Sequence, residues 1–209
     1  DGPFLLYDAL VDPDCCTALL DTIAGRKRLK GQRGTIVGQP ERSLRGRLGD
    51  QPLDVHVGRA DQSNSSVIYG DQLILKVFRS VAPGINPDLE ITRHLTRHAA
   101  FTQTPELAGA LVYETPEDEI STVAMLQAFV PHEANGWAYT LDELDAYYER
   151  LLPRLATGSE ELPAPTAGSL LDRARHALPD HARALLGDYL FAAEALGGRT
   201  AEMHAALAD

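Results

Sequence analysis

Lys76 is the one cationic residue in a strongly apolar stretch, and residues of these types at this spacing could bind an anion. The stretch Leu73–Phe78 reads LILKVF. If it is a β-strand, alternation places Ile74, Lys76 and Phe78 on one face. Burying an ammonium group without a partner is unfavourable. We therefore expect a carboxylate or a bound anion close to the Lys76 amine.

A β-hairpin is predicted around this lysine. The apolar runs Val67–Tyr69 and Leu73–Phe78 are separated by the tripeptide GDQ, which is a typical turn composition between two strands. The polar segment DQSNSS at residues 61–66 precedes the first strand and predicts a small turn. Kinase-like folds hold the phosphates of ATP with elements in this order: a strand, a small-residue turn, a second strand, and then a strand with one lysine.

The helix after the hairpin supplies a carboxylate that could meet this lysine. Asn86 is a favourable N-cap and Pro87 suits the first helical position, so we expect a helix from there to about His98. Glu90 falls in its first turn. It could simply be an acid favoured by the helix dipole, or it could be the partner that neutralises and orients Lys76.

Two later apolar runs, Ala108–Tyr113 and Thr122–Val130, read as strands around an acidic turn. The second run stops at Pro131, where a kinase-like fold would place the hinge between its lobes. Adenine-contacting residues would then be Met125, Gln127, Phe129 and Val130. A buried strand of the sheet explains the same residues, and the two interpretations are compatible.

Composition limits the class of protein. The 209 residues are 44% hydrophobic and 23% charged, which is ordinary for a globular protein with a substantial core. The net charge of −11 argues against a general nucleic-acid partner. No apolar run is long enough to cross a bilayer, and no signal peptide is evident, so we expect no membrane partner. The only cysteines, Cys15 and Cys16, are neighbours and weakly favour a cytoplasmic location.

Helices are predicted near both ends of the chain. Asp12, followed by a proline, reads as the N-cap of the first. A capping box at Thr140 predicts a helix through Leu152. Residues 180–207 are strongly helical, with a bend expected at the glycine pair 197–198.

A basic patch follows the first predicted helix. Its members are Arg26, Lys27, Arg28, Lys30 and Arg33. A solvated surface is the favoured interpretation, and contact with an anion or an acidic partner is the alternative.

Longer motifs carry a resemblance to a known group of enzymes. The run ADQSNSSVIYGDQLILKVFR, followed by APGINPDLEI, resembles the ATP-binding lobe of actinobacterial maltokinases and the related glucosamine kinases. The likeness continues through LQAFVP, GWAYTLDEL and GGRTAEMHAALA, so it spans nearly the whole chain. That group has a bilobal, protein-kinase-like fold related to aminoglycoside phosphotransferases. It phosphorylates sugars with ATP and magnesium.

The resemblance implies roles for particular residues. The phosphate-binding loop would consist of Ser63, Asn64, Ser65 and Ser66. Lys76 would be the phosphate lysine and Glu90 its helical partner, while residues 127–130 would form the adenine hinge. Serine and asparagine replace the glycines of many kinase loops, but hydroxyls and main-chain N–H groups can also meet phosphate oxygens.

The sequence differs from that group in its catalytic motifs. No H-x-D catalytic loop and no acidic magnesium motif follows Ala205, so we expect the catalytic base and metal ligands outside these residues. The predicted class is α+β: a kinase-like N-lobe with a mainly antiparallel sheet and a clamping helix. We assign residues 1–50 to part of a cap subdomain, 51–131 to the ATP-binding lobe with its hinge, and 132–209 to helices leading to an absent C-lobe. The alternative is a nucleotide-binding or interaction module without a catalytic lobe.

Overall fold

The structure is a computed structural model that describes residues 7–49, 52–58, 64–97, 101–158 and 168–208. The chain divides into two units, one formed by residues 1–131 with 202–209 and the other by residues 132–201. The elements in chain order are α1 (Pro13–Ala24), β1 (Arg28–Lys30), β2 (Thr35–Pro40), β3 (Val55–Val57), β4 (Asn64–Tyr69), β5 (Leu73–Phe78), α2 (Pro87–Arg97), β6 (Leu107–Glu114), β7 (Ile120–Ala128), α3 (Gly136–Ala156), α4 (Leu170–Ala174), α5 (Asp180–Leu186) and α6 (Tyr189–Ala208).

One sheet organises the first unit. Its strand order is β1-β2-β6-β7-β5-β4-β3, and every neighbouring pair is antiparallel. The predicted α+β class with a mainly antiparallel sheet is therefore confirmed. The predicted hairpin is also confirmed, as β4 and β5. Residues 1–50 contribute β1 and β2 to the same sheet, so they share a compact unit with the strands that carry Lys76.

The first helix begins as its sequence predicts and packs on one face of the sheet. The Asp12 side chain accepts a hydrogen bond from the Asp14 N–H at 2.9 Å, and Pro13 starts α1. Leu20 and Ile23 are buried against apolar side chains from β4, β5, β6 and β7. Strand β2 passes so close to this helix that a Cβ at Gly38 would overlap the main-chain carbonyl of Thr22.

The second helix covers the opposite face. The Asn86 side chain accepts a hydrogen bond from the Asp88 N–H at 2.9 Å, which confirms the predicted N-cap. Leu89 is buried in a cluster with Phe78 and Met125, two residues of the sheet face that carries Lys76.

Two helix boundaries differ from the sequence expectation. Helix α3 starts at Gly136 because the Asn135 side chain accepts from the Ala138 N–H at 2.8 Å. Thr140 therefore lies inside the helix, where its hydroxyl bonds to the Gly136 carbonyl instead of capping. The expected single helix over 180–207 is two helices. The break comes at Gly187, which adopts a φ of +54°, and not at the glycine pair 197–198 inside α6.

Candidate functional site

Lys76 lies in a row of side chains that crosses three strands. It is opposite Ser66 on β4 and opposite Met125 on β7. Directly opposed residues of antiparallel strands have their side chains on the same face. The side chains of Ser66, Lys76 and Met125 therefore share the face that α2 covers in part. Lys76, the predicted phosphate lysine, thus lies beside Ser66, a residue of the predicted phosphate-binding loop. Lys76 is partly buried.

The neighbouring row on the same face is apolar and partly open. Ile68 lies opposite Ile74, and Ile74 lies opposite Gln127. Both isoleucines are partly exposed and belong to none of the core clusters of the described residues. Gln127, in contrast, is only 4% exposed. An apolar surface thus adjoins the Lys76 ammonium group.

The predicted phosphate-binding loop has a different local structure from the one expected. Asn64, Ser65 and Ser66 belong to β4 and not to a turn, because they pair with the last three residues of β5. Asn64 lies opposite Phe78 and so shares the Lys76 face, whereas Ser65 lies opposite Val77 on the other face. Ser63 lies outside the described residues.

Glu90 is placed in the first turn of α2, as expected, but its side chain is exposed. Among the ion pairs of the described residues, none joins Glu90 to Lys76. The helix is anchored elsewhere: the Arg93 Nε lies 3.1 Å from Glu41 Oε1. The Lys76–Glu90 clamp therefore stays a prediction, and it requires a rearrangement of side chains or of the helix.

Two main-chain N–H groups of the predicted hinge already donate hydrogen bonds within the protein. The Ala128 N–H donates to the Glu106 carbonyl at 2.8 Å, and the Phe129 N–H donates to the Gln72 carbonyl at 2.9 Å. An adenine edge would have to use other main-chain groups of this segment. Phe129 is partly buried and Val130 is exposed, so both lie where a ligand could reach them.

A small cleft opens at one end of this face. Its volume is about 400 Å³, and its lining includes Asn64, Phe78, Arg79 and the start of α2 at Asn86.

Within the described ranges, no cluster of three or more His, Cys, Asp or Glu side chains could hold a metal ion. No helix in the described part of the chain is long and apolar enough to span a membrane.

No protein-family model matches the sequence. Three solved structures of glucosamine kinase are similar to this chain, and each comparison covers 94% of it. The complex with glucosamine, ADP and inorganic phosphate is 21% identical with a TM-score of 0.49. Crystal form A is 20% identical with a TM-score of 0.48, and crystal form B is 20% identical with a TM-score of 0.41. The chain spans 36%, 35% and 50% of the lengths of those three structures.

The same face of the sheet carries one further polar residue that sequence reasoning missed. His56, in β3, lies opposite Ile68 and so extends the row formed by Ile68, Ile74 and Gln127. Its side chain is exposed. The VHV alternation at 55–57 places a histidine between two apolar residues, but only the pairing of β3 with β4 brings it to this face.

Proposed function

We propose that this chain is the ATP-binding part of a sugar kinase that transfers the γ-phosphate of ATP to a sugar hydroxyl. The proposal is carried by one observation: a single sheet face combines the Lys76 ammonium group, the Ser66 hydroxyl and the partly exposed apolar surface of Ile68 and Ile74. ATP has the same division, with a flat base at one end and phosphates at the other.

The residues of this face have complementary roles in the proposal. Lys76 neutralises phosphate oxygens, and Ser66 and Asn64 donate hydrogen bonds to them. Ile68 and Ile74 pack against the base. Phe129 and Val130 border it at the end of β7, while Met125 and Gln127, which are 1% and 4% exposed, support this face from within the core.

Phosphoryl transfer also needs metal ligands, and among the described residues no cluster of His, Cys, Asp or Glu could hold a metal ion. Magnesium would supply positive charge to offset the negative charge of the phosphates. We propose that its ligands and the catalytic base belong to another part of the protein. On this proposal the chain binds nucleotide and does not by itself complete the transfer.

Glu90 completes the proposed site when the nucleotide is bound. In that state its carboxylate approaches the Lys76 ammonium group, so that the lysine is held in one orientation toward the phosphates. Nucleotide binding would therefore shorten the distance between the Glu90 carboxylate and the Lys76 ammonium group.

The sugar follows from the sequence resemblance. Maltose, giving maltose 1-phosphate, and glucosamine, giving glucosamine 6-phosphate, are the two candidates. We propose a cytoplasmic enzyme without a nucleic-acid or membrane partner, since a net charge of −11 repels phosphate backbones.

The test is a phosphorylation screen of the full-length protein with ATP, magnesium and either maltose or glucosamine, with ADP binding measured by calorimetry in parallel. We expect ADP binding and a phosphorylated product from one of the sugars. ADP binding without a product from either sugar would favour the non-catalytic module. Absence of ADP binding would contradict both forms of the proposal.

A further inference from the structure

A second, larger cleft lies in the first unit and shares no lining residue with the Lys76 row. Its volume is about 600 Å³, and it is formed by the end of α1, the end of β2 and the 3₁₀ segment Arg42–Gly46. We propose that this cleft binds a small phosphorylated metabolite. The inference is independent of the proposed kinase function.

Three arginines give the cleft its positive charge. Arg26, Arg42 and Arg45 all line it, all are exposed, and none forms an ion pair with another residue of the described chain. A guanidinium group presents a planar fork of donors that fits phosphate oxygens in a bidentate manner. Three such groups around one cavity are therefore suited to a phosphate dianion.

The one acidic residue of the lining does not cancel this charge. Glu41 is already held by two other arginines, with Arg93 Nε at 3.1 Å and Arg97 Nη2 at 3.5 Å from its Oε1. The cleft is thus a local concentration of positive charge in a chain whose net charge is −11. An anion would be attracted to this cleft in preference to the rest of the surface.

The rest of the lining is apolar and indicates a ligand with a carbon body. Leu44 is buried at 2% exposure, and Ala24, Pro40 and Leu48 complete the floor of the cleft. A volume of about 600 Å³ is well above what a lone phosphate ion occupies and falls in the range of small-molecule sites. The combination of arginines and apolar floor matches a metabolite better than a free inorganic ion.

The backbone of Arg26 ends α1 in the left-handed conformation. Its φ is +51°, in the left-handed region where glycine is the usual residue at a helix end. Here the Arg26 N–H donates to the Ile23 carbonyl at 3.1 Å and ends α1. This turn places Arg26 at the end of α1, where it lines the cleft.

The experiment titrates the full chain by calorimetry with glucose 1-phosphate, inorganic phosphate and uncharged glucose. We expect glucose 1-phosphate to bind more tightly than inorganic phosphate, and glucose not to bind. The variants Arg42→Gln and Arg45→Gln should each weaken glucose 1-phosphate binding by roughly tenfold, because each loses a charge-assisted contact.

Two matched variants make the result specific. Arg33→Gln removes the same charge from an exposed arginine of the same unit that does not line the cleft, and it should leave binding unchanged. If Lys76→Gln abolishes binding while Arg42→Gln and Arg45→Gln do not, the ligand occupies the proposed nucleotide site and the inference is overturned. The inference is overturned if no phosphate compound binds, if only inorganic phosphate binds, or if Arg33→Gln weakens binding as much as the cleft variants do.

Discussion

Ser66 and Lys76 lie directly opposite each other on β4 and β5, and their side chains share one face of the sheet. A hydroxyl and an ammonium group are thereby held side by side by main-chain pairing, not by a flexible loop. Both groups are donors, and neither is paired with a carboxylate among the described residues. The arrangement is suited to an acceptor-rich ligand such as a triphosphate.

Replacing the central cation tests the site most directly. We expect Lys76→Met in the full-length protein to lower kcat/KM for ATP by about tenfold or more, because a phosphate contact is lost. The measurement is steady-state kinetics with varied ATP. Lys30→Met is the matched control, since Lys30 is an exposed lysine on β1. Equal activity of Lys76→Met and the native protein would remove Lys76 from the mechanism.

The proposed clamp can be tested by comparing two acids of one helical turn. Glu90 and Asp88 are both exposed in the first turn of α2. We expect Glu90→Gln to lower kcat/KM for ATP by about tenfold, because the lysine loses its charged partner, and Asp88→Asn to have little effect. If the two variants behave alike, Glu90 acts only through the helix dipole.

His56 should contact the base and not the phosphates, because it adjoins the isoleucine row and not Ser66. We expect His56→Ala to weaken ADP binding several-fold, by loss of stacking, and to leave tripolyphosphate binding unchanged. His56→Phe should retain most of the ADP affinity. Calorimetry with both ligands decides the point, and an equal loss for ADP and tripolyphosphate would contradict the base contact.

Stability should fall at alkaline pH because of a buried pair on the opposite face of the sheet. The Tyr69 hydroxyl donates a 2.7 Å hydrogen bond to the Cys16 carbonyl. Burial raises the pKa of Tyr69, and burial also raises the pKa of the Cys16 thiol. Both folded-state pKa values therefore exceed the unfolded ones of about 10 and about 8.5. The stabilisation is complete below the unfolded values and is lost as the pH rises toward the folded ones.

Urea unfolding at pH values from about 8 to about 11 measures this loss. Tyr69→Phe should lower the free energy of unfolding by about 1 kcal/mol near neutral pH and should reduce the alkaline slope. Tyr7→Phe is the control, since Tyr7 is 55% exposed. An unchanged alkaline slope in Tyr69→Phe would show that other groups cause the loss.

The close approach of β2 and α1 makes Gly38 sensitive to substitution. Gly38→Ala should lower the free energy of unfolding by about 3 kcal/mol or more, because the new methyl group meets main-chain atoms of Thr22 that cannot rotate away. Gly46→Ala is the matched control, since a methyl group added there would have no neighbouring atom within 4 Å. Chemical denaturation measures both, and similar stabilities would contradict the steric account.

Features that depend on neighbouring residues could be predicted from the sequence. The N-caps at Asp12 and Asn86 each need only a side chain and an N–H two residues later. The alternation LILKVF likewise predicted β5 and the face of Lys76. The capping box at Thr140 was the wrong start for α3, because Asn135 caps the helix five residues earlier.

Features that depend on distant contacts could not be predicted. The extension of β4 back to Asn64 follows from the length of β5, and the place of His56 follows from pairing between β3 and β4. The position of Glu90 depends on how α2 is anchored through Arg93 and Glu41, which are far apart in the sequence. The identities of neighbouring residues along the chain do not show which distant residues will meet.

The last described residues of α6 belong to the first unit, where Met203 and Ala206 cover Leu95 and Phe101. A fragment truncated after Pro131 would expose that apolar surface and would be prone to aggregate. Recombinant production of the isolated first unit therefore calls for co-expression with a peptide that supplies this final segment, or for a circular permutation that joins it to the sheet.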